Sequence, residues 1–116
     1  MKHHTRRAVA YIAGRFISSL ASSAVYDYKD SKHYSFSGNV DKSQVAIFDY
    51  DEGCHIGGSL SGVYHYGNSQ HVSLDIKGNN FTGYDYGESQ HFSGVVNGSS
   101  ISIYDYQFSE YFNYSI

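Results

Sequence analysis

The chain has 116 residues, a length that holds one hydrophobic core, so a single domain spanning residues 1–116 is expected. Ser, Tyr and Gly dominate, Pro and Trp are absent, and only three Leu and three Glu occur; this excludes a helix-rich fold, and the thirteen Tyr favour pleated structure. The net charge of −3 divides into four basic residues and no acid in residues 1–26, against −7 in the remainder, and so acidic a body argues against a nucleic-acid-binding groove.

Residues 1–21 are the least repetitive segment and read as a basic N-terminal cap or arm. The stretch from Lys2 to Ala24 also imitates a secretory leader: basic residues, then the run Ala8-Val9-Ala10-Tyr11-Ile12-Ala13, then small residues ending Ala21-Ser22-Ser23-Ala24. Arg15 interrupts that pattern, which favours a soluble, cytoplasmic chain over a secreted one. No segment approaches the roughly 18 consecutive apolar residues that a membrane-spanning helix needs.

From residue 22 to 116 the chain repeats itself. The anchors are Tyr26-Asp27-Tyr28, Phe48-Asp49-Tyr50, Tyr64-His65-Tyr66, Tyr84-Asp85-Tyr86 and Tyr104-Asp105-Tyr106, separated by 22, 16, 20 and 20 residues. Seven residues after each first aromatic stands His33, His55, His71, His91 or Tyr111, and two residues before that Ser31, Gly53, Ser69, Ser89 or Ser109. Alternation of apolar and polar residues follows each of these positions, as in Val72/Leu74/Ile76, and precedes several triplets, as in Ile101/Ile103. Each unit therefore holds two strands, joined by turns such as Lys77-Gly78-Asn79-Asn80.

An all-β chain of this kind fits a short two-sheet β-solenoid of about five units of roughly 20 residues, covered at its start by the N-terminal cap. Identical residues at fixed phase favour that arrangement. A closed antiparallel β-barrel, or a symmetric ring of β-hairpins, satisfies the same pattern, and a solenoid has the drawback of stacking Asp27, Asp49, Asp85 and Asp105 in one row. With the aliphatic residues facing inward, the aromatic pairs Tyr26/Tyr28, Tyr50, Tyr64/Tyr66, Tyr84/Tyr86 and Tyr104/Tyr106 face outward as a binding surface.

The candidate chemistry is weighed on the same repeat. His33, His55, His71 and His91 would form a transition-metal site if stacked, but Tyr111 in the fifth position favours a plain structural role. The Gly-Gly-x-Gly-x-Asp nonapeptide of calcium-loaded β-rolls is absent, so each central Asp reads as an acceptor for its turn. Every acid and His has equivalents in like surroundings, which argues against an enzyme and for a surface, and no cofactor is implied. Cys54 is expected in an exposed turn. The shortened second unit and His65, the one central position that departs from Asp, mark an irregular corner where Cys54, His55, His65 and His71 could meet. The expected function is a non-catalytic structural or binding module that presents Tyr, Ser and His rows to a protein partner or to itself; a His-based metal-binding protein and a carbohydrate- or ice-binding surface are the alternatives.

Overall fold

The computed structural model describes residues 1–116: one helix, α1 (His3–Ser18), followed by ten strands, β1 (Ala24–Asp27), β2 (Lys32–Val40), β3 (Val45–Asp49), β4 (Cys54–Ser59), β5 (Gly62–His65), β6 (Gln70–Lys77), β7 (Asn80–Asp85), β8 (Gln90–Asn97), β9 (Ser100–Asp105) and β10 (Glu110–Ser115). Each strand pairs antiparallel with the next, and β1 pairs with β10, placing Tyr26 opposite Ser115 and Asp27 opposite Tyr114. The sheet is thus a closed barrel in simple up-and-down order.

The solenoid expectation is overturned, and the turns give the physical reason. Lys77 pairs with Asn80 and Asn97 with Ser100, so each loop has two residues, and its first, Gly78 or Gly98, holds a positive φ of 63° or 60°. Glycine first in a two-residue loop is the turn that reverses a chain upon itself with the twist of an antiparallel pair. Each repeat is therefore a hairpin rather than a coil. Closure also removes the row of like charges, because neighbouring triplets sit two strands apart, roughly 10 Å at the usual strand spacing.

The N-terminal segment is neither cap nor arm. Thr5 to Gly14 of α1 are buried on every side, and the helix packs against β1, β2, β8, β9 and β10 while sharing one core with Ile56, Val63, Val72 and Leu74 of the opposite wall. A ten-stranded barrel is wider than the eight-stranded kind that side chains alone can fill. The helix supplies the missing volume, and its slim residues Ala8, Ala10, Ala13 and Gly14 let it fit. A Cβ on Gly14 would collide with the side chains of Ile101 and Ile116. The leader-like composition has the same origin: an enclosed helix must be apolar and narrow all round. No helix of the chain is long and apolar enough to cross a membrane.

Specific contacts fix the helix in place. The Tyr11 ring stacks on Phe36 with centroids 4.5 Å apart, and its hydroxyl donates to the Ser22 carbonyl at 2.6 Å. Ser19, at φ 60°, ends the helix in the left-handed conformation and returns its N–H to the Arg15 carbonyl. Across β7 and β8, Phe81 faces Gly94 and Gly83 faces Phe92; each ring occupies the space a Cβ on the opposed glycine would take. Two aromatic residues thereby fill the wall beside the helix without crowding it.

Candidate functional site

At one end of the barrel the repeat becomes a structural rule. The central residue of each triplet points inward and holds the turn after it. Asp27 Oδ1 accepts from the Lys29 N–H at 2.9 Å, Asp49 Oδ1 from Asp51 at 3.0 Å, Asp85 Oδ1 from Gly87 at 2.9 Å, and Asp105 Oδ1 from Gln107 at 3.0 Å. His65 replaces the carboxylate in the third unit, its Nδ1 accepting from the Asn68 N–H at 3.2 Å. Each turn then passes through a left-handed residue, Ser31, Gly53, Ser69, Ser89 or Ser109, with φ between 52° and 65°. This accounts for the fixed spacing of the small residues along the sequence.

The aromatic residues beside each central position point outward and are held by one another. The His seven residues on is the cross-strand neighbour of the first aromatic: Tyr26 faces His33, Phe48 His55, Tyr64 His71 and Tyr84 His91, with Tyr104 facing Tyr111 in the fifth unit. The rings meet edge to face at centroid distances of 4.7–4.9 Å. The second aromatic joins the same cluster, as in Tyr64 with Tyr66 at 4.7 Å and Tyr84 with Tyr86 at 4.8 Å. Such pairs contribute about 0.5–1.5 kcal/mol beyond burial, enough to hold an exposed ring in place. Tyr28, Tyr50, Tyr66, Tyr86 and Tyr106 are each more than half exposed, from 52 to 62%. Five aromatic clusters therefore form a belt around the outside of the barrel.

The belt also accounts for the histidines. His33, His55, His71 and His91 lie on alternate strands, β2, β4, β6 and β8, so successive imidazoles are about 10 Å apart around the wall. Ligands of one ion stand about 2 Å from it. The histidines thus do not stack, the condition on which the sequence allowed a transition-metal site as an alternative, and no three His, Cys, Asp or Glu side chains meet in a geometry that could hold a metal.

The irregular corner is half as expected. Cys54 and His65 do meet, with Sγ 3.9 Å from Nδ1, but His55 and His71 face outward into the belt. Cys54 is not an exposed turn thiol: it opens β4 opposite Asp49, half-buried, and burial pushes its thiol pKa up, away from a nucleophile. Burial likewise holds the His65 imidazole below its ordinary pKa, with His4 adding to the effect. Sequence reasoning missed His4. It reaches the corner from the first turn of α1, its ring centroid 5.1 Å from that of His65, its Nδ1 3.4 Å from Glu52 Oε1 and its Nε2 2.7 Å from Asn68 Oδ1.

Also missed was the charge arranged inside the belt. Arg6 Nη1 and the Met1 ammonium both donate to Asp105 Oδ2 at 2.8 Å, and the Arg6 guanidinium lies 3.4 Å from the centre of the Phe112 ring. Arg7 reaches out to Asp51 at 3.1 Å and lies over Tyr34 at 3.7 Å. The Tyr34 hydroxyl donates to Asp30 at 2.6 Å, which holds the Asp30 carboxyl low and raises the tyrosine to about 12. Arg7 Nε and Asp49 Oδ2 are buried without partners, and burial raises the pKa of Asp49. No periodicity marks these helix residues, because they occur once.

With this geometry in hand, the chain matches no protein-family model, no curated protein and no solved structure.

Proposed function

We propose that the chain is a non-catalytic binding module that engages its partner through the outward aromatic belt. The observation that supports this reading is the exposure of five edge-to-face clusters, each ending in a tyrosine more than half exposed. Exposed tyrosines offer a large rigid apolar face and a hydroxyl, and their pre-ordering by a neighbouring ring lowers the entropy lost on binding. Beside the belt the outward strand positions are small and mostly uncharged, among them Ser35, Ser37, Ala46, Gly57, Ser73, Thr82, Ser93 and Ser102. A partner meets a flat surface there. The inward acids are already engaged with turn N–H groups or with Arg6, which leaves them poorly placed for acid–base work.

Self-association is the simplest form of the reading. Sedimentation velocity across a wide concentration range, with binding to protein and glycan arrays, tests it. Association or array binding that weakens when Tyr66, Tyr86 and Tyr106 are replaced by Ser supports the belt; a strict monomer that leaves every array silent counts against it.

A further inference from the structure

The barrel departs from its own symmetry at β1 and at β5, each four residues long. The second unit is the shortest, and its cost falls on β5, which has four residues where β6 has eight. Pairing between β5 and β6 stops at Val63 with Val72, after which only the Leu60 carbonyl reaches the Leu74 N–H at 2.8 Å. β6 and β7 stay paired to Lys77 and Asn80. Asp75 to Lys77 therefore rise past the β4–β5 turn paired with β7 alone and with no strand on the β5 side, leaving a notch in the outer wall.

Side chains of consistent chemistry surround the notch. A groove of about 400 Å³ is lined by Ser61, Ser73, Asp75 and Thr82 and bounded by Tyr84 and His91. A second space of about 290 Å³ shares Ser61 and is bounded by Gln70, His71 and Tyr86. The register places these groups on one face: Ser73 opposite Tyr84, Asp75 opposite Thr82, and Tyr84 opposite His91. Neither space is lined by Lys or Arg, and Asp75 stands in the first, so an anionic ligand meets a carboxylate and no permanent positive charge. Hydroxyls, an amide and one carboxylate exclude a purely apolar guest, because each would lose its water without a replacement. A pyranose answers both conditions: its C–H face packs on a tyrosine ring, and its hydroxyls exchange hydrogen bonds with Ser, Thr, Gln and the Asp75 carboxylate.

We propose that the notch between β5 and β8 is a binding site for neutral saccharides, two sugar units lying across Ser61 between the Tyr84–His91 and His71–Tyr86 steps. The proposal rests on the reading of the belt as a binding surface and names its ligand class where the shortened second unit meets β6. Asp75 accepts from a sugar hydroxyl, and Tyr84 supplies the ring face.

Amide chemical-shift titration with cello-, malto-, chito- and mannohexaose tests the site, with the Asp75→Asn and Tyr84→Ala variants and, as control, Lys42→Ala in the exposed β2–β3 loop. Asp75 is exposed, with only a 3.9 Å contact to Lys77, so Asp75→Asn keeps the fold even where Tyr84→Ala loosens it. The expected result is perturbation confined to residues 61, 70–75, 82–86 and 91 with at least one probe. Asp75→Asn should weaken it about tenfold or more, the worth of a charge-assisted hydrogen bond, while Lys42→Ala leaves it unchanged. Silence with all four sugars, shifts spread evenly over the five clusters, or binding that survives Asp75→Asn overturns the site. Loss of self-association or protein binding in the Tyr66, Tyr86 and Tyr106 variant is read separately, so the belt can stand if the notch falls.

Discussion

Arg6 and Asp105 form a fully buried ion pair, 2.8 Å from Nη1 to Oδ2, that joins the first turns of the core helix to the last acid of the repeat. Removing one partner strands the other in the interior. Asp105→Ala is expected to cost about 3–5 kcal/mol, since an uncompensated buried charge remains. Adding Arg6→Met should recover only a fraction of that loss, because Asp105 also holds the Gln107 N–H and the Met1 ammonium. Urea denaturation of the two single variants and the double variant measures the coupling.

The left-handed turn serines make a second prediction. Ser89 sits at φ 54°, where a side chain costs roughly 1–2 kcal/mol relative to glycine. Ser89→Gly is expected to stabilise the barrel by up to about 1 kcal/mol and Ser89→Val to destabilise it by more, the β-branch being least tolerated there. Gly53, which holds this position in the second unit, should respond in the opposite sense when changed to Ser. Thermal unfolding of the three variants reads the order.

Burial lowers the pKa of His65 from 6.5. Between that ordinary value and the lower folded one, the unfolded chain binds a proton that the folded chain does not, so stability falls as pH drops through about 6.5. Asp49 and Asp85 act in the other sense. Burial raises both above 3.8, and the stability that their protonated forms allow is lost as pH rises through their folded values. His65→Asn keeps an acceptor for the Asn68 N–H and removes the imidazole. Its stability should change less than that of the parent between about pH 7.5 and about pH 5.5. Equal slopes in the two proteins would dismiss His65 as the titrating group.

The core helix predicts large losses from small changes. Tyr11→Ala should cost about 3–5 kcal/mol, and Ala10→Leu about 1–3 kcal/mol by overpacking, since both positions have no solvent exposure. A helix lying outside the barrel would tolerate either. Denaturation midpoints and helical circular dichroism distinguish the cases.

What the sequence revealed depended on repetition. Alternation along β6 and β9, the inward Asp, the outward Tyr and the small turn residues recur from unit to unit, so their roles are legible in the chain itself. The +7 spacing of His was visible, but its meaning, a cross-strand partner on the ring of the first aromatic, required knowing that the chain reverses. Parallel coils and antiparallel hairpins share the same period, and only the two-residue loops after Lys77 and Asn97 decide between them. The helix was obscured for a different reason: Ala8 to Ala13 carry the composition of an enclosed helix, which is also that of a leader. His4, Arg6 and Arg7 belong to no repeat and gain their partners only from closure of the barrel.

The belt is tested most directly by one variant that removes three of its five exposed tips and leaves the half-buried first rings in place. Tyr66→Ser, Tyr86→Ser and Tyr106→Ser together change only side chains that are more than half exposed, so an unaltered amide spectrum away from the three sites is expected. Binding to immobilised parent protein and to protein and glycan arrays should then fall at least tenfold from the parent, about 1.4 kcal/mol. A variant that binds as the parent does, or a parent that binds nothing in any of these formats, would contradict the assignment of the belt as the functional surface.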